Sequence, residues 1–319
     1  VERFQKLSSR AIIGRFFERL ALAPKIELVD AISGAPYDSD QASEEYPWLG
    51  MTPVMREWIG GRQAKSLRES SLTIKNKKFE ATLEILLDDI RRNKTAQLMT
   101  RVDELALRAE DSHWLSLLCT LILAGESTVC YDGDYFFGTA HAEGDSGTQA
   151  NLVSIDISAL ATSVHGSTTN PSAGEMSLCI QRAVQTLMGL KDDHGEPFNE
   201  TATQFKVVAG TNLLEPITAA LSNQFISSGE QNTLVNNGKY QVTADFSARL
   251  TTLTTKFDVY RTDGAVKPFI RQEEVPLKTS MVAEGSELEF LHDKWEFGVM
   301  ASRNVGVGLW QHACRISMT

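Results

Sequence analysis

His141-Ala142-Glu143 is the first constellation to test, because H-x-E is how a zinc deaminase supplies one ligand and one general acid–base group. That chemistry also needs P-C-x-x-C downstream. The four cysteines, Cys119, Cys130, Cys179 and Cys314, are scattered, and no C-x-x-C occurs. A lone histidine beside a Gly-rich loop is read instead as a structural hydrogen-bonder. There is no H-E-x-x-H, no G-x-S-x-G and no Walker loop. Gly306 and Gly308 fall in an expected strand with no helix after it, so they are no dinucleotide fingerprint. Asp88-Asp89 and Asp192-Asp193 are adjacent acids at a helix start and a turn, where capping and solvation account for them. The expectation is no catalytic residue, no cofactor and no metal. An enzyme assembled from distant positions around His141 and His165 is the alternative.

The remaining residues able to act at a distance are basic. Arg3, Lys6, Arg10 and Arg15 alternate with Phe4, Leu7, Ala11 and Phe16 in a basic amphipathic helix over 1–25, ended by Pro24. Arg62, Lys65, Arg68, Lys75, Lys77 and Lys78 crowd a stretch with little to bury. These ten are the candidate inter-subunit contacts. Residues 1–94 carry net charge +2 and residues 95–319 carry −12. An acidic body argues against a nucleic-acid binder, which shows a basic face. A locally basic front on an acidic body fits self-complementary contacts between copies. A membrane or nucleic-acid adaptor working through the basic helix is the competing reading.

Elements must position these residues. Thr95–Ala124 has no Gly or Pro; its first half is amphipathic and its second half nearly all apolar. The spacing predicts one spine helix about 45 Å long, too short in its apolar run to span a bilayer. Residues 26–47 are acidic and turn-rich and read as a surface linker. Period-2 alternation on either side of Lys75-Asn76-Lys77-Lys78 predicts extended strands of a two-stranded arm. Such an arm is marginal unless it lies on something else. Asp88-Asp89 open a short helical turn. Ser172 and Glu175 form a capping box ahead of a helix through Met188. Phe205–Ala209 is a strand, and Asn212 with Glu215 cap a helix through Leu221. Asp263-Gly264 between Phe257–Tyr260 and Val266–Ile270 predicts a hairpin. A turn at Ser302-Arg303-Asn304 is expected to join Trp295–Met300 to Val305–Ile316. Buried thiols at Cys119 and Cys314 fit a reducing compartment. Neither a signal peptide nor a membrane-spanning run is read, and the start at Val1 rather than Met fits a trimmed N-terminus.

Several stretches, in order, resemble the major head protein of Mu-like phages and prophages. They are Tyr46-Pro-Trp-Leu-Gly50 with Arg56-Glu57-Trp58, Phe79-Glu80 with Asp88-Asp89, and Cys130-Tyr131-Asp132-Gly133 with Phe136-Phe137 and His141. Phe297-Gly298-Val299 and Arg303-Asn304-Val305-Gly306-Val307-Gly308 complete the set, over about residues 46–316. Ala142 departs from the family's pattern, which often places Pro there. The resemblance implies an α+β protein with the Hong Kong 97-like major capsid fold. It maps an N-terminal arm to 1–45 and an extended hairpin loop to 46–86. A peripheral domain falls at 87–150 and 256–319, with its spine helix at 95–124, and an axial α/β domain at 151–255. It further implies a structural protein that self-assembles into hexamers and pentamers of an icosahedral virion shell. Its partners would be further copies, scaffold, portal and decoration proteins, and packaged double-stranded DNA without sequence-specific binding. No membrane is implied, and assembly would take place in the host cytoplasm.

Overall fold

The computed structural model describes residues 8–46, 72–92, 94–225, 229, 231–235 and 238–319. Ser8 caps α1 (Ser9–Ala21) by accepting from the Ala11 N–H. The acidic stretch after Pro24 is no linker. It opens with α2 (Glu27–Ser33), whose Leu28, Val29 and Ile32 are buried. Those apolar positions at i, i+1 and i+4 outweigh the surrounding turn residues. Short strands β1 (Tyr37–Asp38), β2 (Ser43–Glu45) and β3 (Thr73–Lys75) precede the long β4 (Lys77–Leu86). β4 alternates as its sequence predicts. Ala81, Leu83 and Ile85 face inward, while Glu80, Thr82, Glu84 and Leu86 are exposed. A short α3 (Leu87–Arg91) then leads to α4 (Thr95–Ala109) and α5 (Asp111–Leu123).

The second half supplies β5 (Leu152–Ile155), α6 (Ala173–Gly189), β6 (Gln204–Gly210), α7 (Leu214–Ser222) and β7 (Gln241–Ser247). Then come β8 (Lys256–Arg261), β9 (Phe269–Val282), α8 (Glu287–His292), β10 (Lys294–Val307) and β11 (Ala313–Met318). The capping box ahead of α6 forms with both of its hydrogen bonds. α7 is present, but Asn212 does not cap it; a 3-10 turn over Thr211–Leu213 leads in, and the Asn212 amide donates to the Thr254 carbonyl.

Two sheets organise the chain. One has the order β1-β9-β10-β4, and the other β5-β11-β8-β6-β7. In the first, Ile85, Trp295, Phe297 and Val299 form a core with Ile12 and Phe16 of α1 and Val102, Ala106 and Ala109 of α4. In the second, β6 is buried along nearly its whole length, as a strand covered on both faces must be. α6 packs on β8 and β11, and α5 joins the same core through Trp114, Leu118, Cys119 and Ile122.

Three expectations fail here for identifiable reasons. No hairpin forms at Asp263-Gly264, because β8 pairs within the five-stranded sheet and β9 within the four-stranded one. The Asp263 carboxylate is instead engaged by Arg261 Nε at 2.6 Å and by the Thr203 N–H at 2.7 Å. Consequently β8 and β11, expected with the peripheral part, are interior strands of the sheet that 151–255 builds. Nor does the chain turn at Ser302-Arg303-Asn304. β10 continues through it with an irregularity in its pairing to β9. All three side chains find partners there: Ser302 donates to Glu274, Arg303 to the Ala109 carbonyl, and Asn304 to the Lys75 carbonyl. Gly306 is needed one turn of the pleat further on, because a Cβ there would sit 2.3 Å from Ile74.

The spine helix is broken. Glu110 adopts φ −110°, ψ −104° between α4 and α5. Arg303, 1% exposed, donates to the Ala109 carbonyl at 2.6 Å, and its guanidinium lies 4.8 Å from the Trp114 ring. The carbonyl that would continue the helical ladder is thus taken by a strand side chain. The burial expected of the second half holds, with Leu118 fully enclosed.

Candidate subunit interface

The described part of the basic N-terminal segment is bound to its own chain. Arg15 forms a bidentate pair with Asp103 of α4, at 2.8 and 2.7 Å, and Arg19 approaches the same carboxylate at 3.3 Å. The Arg15 hydrogen bond holds the Asp103 carboxyl below its usual value. Phe16 stands edge-on to Phe297, 5.4 Å between centroids. Phe16 of the expected stripe, with Ile12 beside it, thus fills the core of the chain's own four-stranded sheet, whereas Ala11 and Phe17 are exposed and Phe4 and Leu7 lie outside the described residues. Deleting α1 would uncover that core. Arg10 remains exposed on α1, whereas Arg3 and Lys6 lie outside the described residues.

Of the arm candidates, Arg62, Lys65 and Arg68 also lie outside the described residues. Lys75, Lys77 and Lys78 are all exposed and form no ion pair among the described residues. Their base is rigid. Asn76, between them, donates to Ser39 Oγ at 2.9 Å and to the Gln41 carbonyl at 2.7 Å. Gln272 of β9 donates to Asn76 at 2.7 Å and accepts from the Tyr46 hydroxyl at 2.8 Å. Burial, then the nearby Glu44 charge, push the Tyr46 hydroxyl up to about 12. A satisfied buried network of this kind fixes register. The three ammonium groups thus project from a fixed strand junction.

The histidines that could have meant catalysis are structural. His141 is fully buried, 2.6 Å from Asp132 and 3.2 Å from Asn151, and stacks on Trp310 with centroids 4.0 Å apart. Asn151 also donates to the Phe136 and Trp310 carbonyls. His165 meets Glu175 of the α6 capping box at 3.0 Å. Each histidine is committed to its own partner, and no group of three or more His, Cys, Asp or Glu among the described residues could hold a metal ion.

Sequence reasoning missed the buried arginines. Arg315 pairs with Asp258 at 2.6 and 2.8 Å, donates to the Ile122 carbonyl at 2.8 Å and covers the Phe137 ring at 4.0 Å. Arg271 contacts Asp30 at 2.5 Å and, with Arg303, flanks Trp114. The one available signal was Arg315 and Asp258 standing inside otherwise apolar strand patterns, where a charge needs a partner. These arginines tie strands of both sheets to α2, α4 and α5.

Comparison with known proteins agrees with this architecture. The chain is 35% identical over 117 residues to the Mu-like prophage FluMu major head subunit of Haemophilus influenzae, covering 37% of this chain and 38% of that protein. It is 31% identical over 104 residues to the major capsid protein of Escherichia phage Mu, covering 33% and 34%. These alignments thus span about a third of each relative. Among solved structures, a chain of the bacteriophage JBD30 procapsid superposes with TM-score 0.54 at 22% identity, over 97% of this chain and 73% of that one. A chain of the cyanophage P-SCSP1u capsid gives 0.55 at 11% identity, over 93% and 89%. The α+β fold is therefore the Hong Kong 97-like capsid fold. The model of the Mu-like prophage major head subunit gpT matches residues 29–162 and 237–319, a span that takes in the four-stranded sheet, the broken spine and every strand of the other sheet except β6, and the chain belongs to that family.

Proposed function

We propose that copies of this chain close into hexamers and pentamers of an icosahedral shell around double-stranded DNA. The observation that carries the reading is the family match over residues 29–162 and 237–319. The chain's own charge supports it: a net −12 over residues 95–319 suits a wall that should not hold packaged DNA tightly. Scaffold, portal and decoration proteins are the further partners of such a shell, and the host cytoplasm its place of assembly. The extended loop and peripheral and axial parts are proposed as its working divisions, with β8 and β11 counted in the axial sheet. Lys75, Lys77 and Lys78, with Arg62, Lys65, Arg68, Arg3, Lys6 and Arg10, are proposed to meet acidic surface on neighbouring copies. Negative-stain microscopy of purified protein tests the reading. Shells or capsomer rings are expected; a monomer that persists at high concentration and across salt conditions would overturn it.

A further inference from the structure

The connection between β9 and β10 leaves an apolar tip in water. Phe290 of α8 is 89% exposed and Leu291 58%. A six-residue helix has no need of a phenylalanine turned away from its own sheet. Three carboxylates accompany it: Glu284, Glu287 and Glu289 make no ion pair among the described residues, although Glu284 accepts from the Ser9 N–H and Glu289 from the Gly285 N–H. Asp293, by contrast, is neutralised by a two-point contact with Arg91.

The opposite end of the same sheet carries three exposed lysines with no ion pair among the described residues, with Glu44, Glu45 and Glu80 on the same or the pairing strands. β4 begins at Lys77, beside Arg303, and ends at Leu86, beside Lys294, where α8 delivers the chain into β10. Lys75, Lys77 and Lys78 therefore stand at the far end from α8, roughly 30 Å away along the strand. Among the described residues, three lysines with no ion pair stand at one end, and three carboxylates with no ion pair, around an exposed Phe-Leu pair, stand at the other.

We propose that the α8 tip docks on the Lys75–Lys78 junction of a second copy of this chain, head to tail. This deepens the shell reading and rests on it. Tip against tip is disfavoured because it would bring like charges together. A head-to-tail contact is heterologous, so it leaves each copy with one unused end and propagates until a ring or lattice closes. The area is also telling. Phe290 and Leu291 offer roughly 300 Å², below the about 600 Å² per partner at the lower edge of a stable isolated complex. The contact suits a repeating array of copies better than a lone soluble partner.

The test is disulfide trapping in assembled wild-type-like particles, with K78C and E287C together and each alone. The native cysteines are all buried, so background linkage is low. The double variant is expected to give trimers and larger linked species, at least tenfold above either single variant. Dimers from E287C alone would mean tip-to-tip contact and overturn the proposal. So would shells of the double variant that contain no linked species. A second variant, F290S, is expected to lower the assembled fraction at least fivefold with circular dichroism unchanged; unaltered assembly counts against the contact. Wild-type protein that forms no shells or rings sinks the shell reading and this contact with it, whereas shells without the cross-link sink this contact alone.

Discussion

Arg315 shows how a residue can be essential to this fold without any visible motif. Its guanidinium and the Asp258 carboxylate are both at 0% exposure, and the Tyr260 hydroxyl also donates to Asp258. Replacing only Arg315, as in R315M, strands a buried carboxylate and is expected to cost about 3–5 kcal/mol. R315M combined with D258L should recover much of that loss in denaturant unfolding. Two histidines set the acid response. Burial pushes His312 down to about 4, and burial with Arg303 pushes His113 down to about 4. Both bind protons more readily when unfolded, at an ordinary value near 6.5. Their contribution is therefore complete above about pH 6.5 and is lost as pH falls toward 4. The melting temperature should drop across that window, and H312F should flatten the slope. At lower pH a second loss is expected. The Arg261 and Thr203 hydrogen bonds, against the opposing effect of burial, hold Asp263 at about 2, so stability it supplies above about pH 4 disappears between 4 and 2. Of this only the Arg315–Asp258 pair left a trace in the residue types, as two charges inside apolar strand patterns. The sequence shows which histidines exist, but burial and partner are properties of the fold.

At the scale of elements, legibility followed local pattern. β4 alternates, the α6 capping box is written in four residues, and the buried half of α5 is apolar on every side; each appears as expected. α2 was missed on a local apolar pattern, but three other failures share one cause, which is long-range pairing. Asp263-Gly264 has hairpin chemistry, but the strands on either side belong to different sheets. Ser302-Arg303-Asn304 has turn chemistry, but partners from α4, β3 and β9 hold it extended. The spine has continuous helix propensity, but a strand arginine takes one of its carbonyls. Two substitutions separate element roles. Leu118→Asp places an unpaired charge in the main core and should cost several kcal/mol; a soluble, normally assembling variant would overturn that placement. Phe16→Ala should cost about 3–5 kcal/mol in the unassembled chain, because α1 stabilises its own sheet. An unchanged unfolding midpoint in the monomer would mean that α1 belongs to a neighbour instead.

For the whole molecule, the uneven charge predicts how assembly answers salt. Exposed ion pairs are worth about 0–1 kcal/mol each, but a symmetric shell repeats them in every copy. Screening shortens from about 10 Å at 0.1 M to about 3 Å at 1 M, so assembly should weaken over that range. The triple reversal R62E, K65E and R68E should give folded protein that sediments as monomers or isolated capsomers. Full-sized particles with unchanged salt tolerance would remove electrostatics from the account. Sheet order has another consequence, one of timing. β11 lies between β5 and β8, pairing Arg315 with Leu152 and Ala313 with Tyr260. A nascent chain on the ribosome can form α6, β6 and β7 early and add β8 beside β6, yet β8 keeps one open edge and β5 stays unpaired until residues 313–318 emerge.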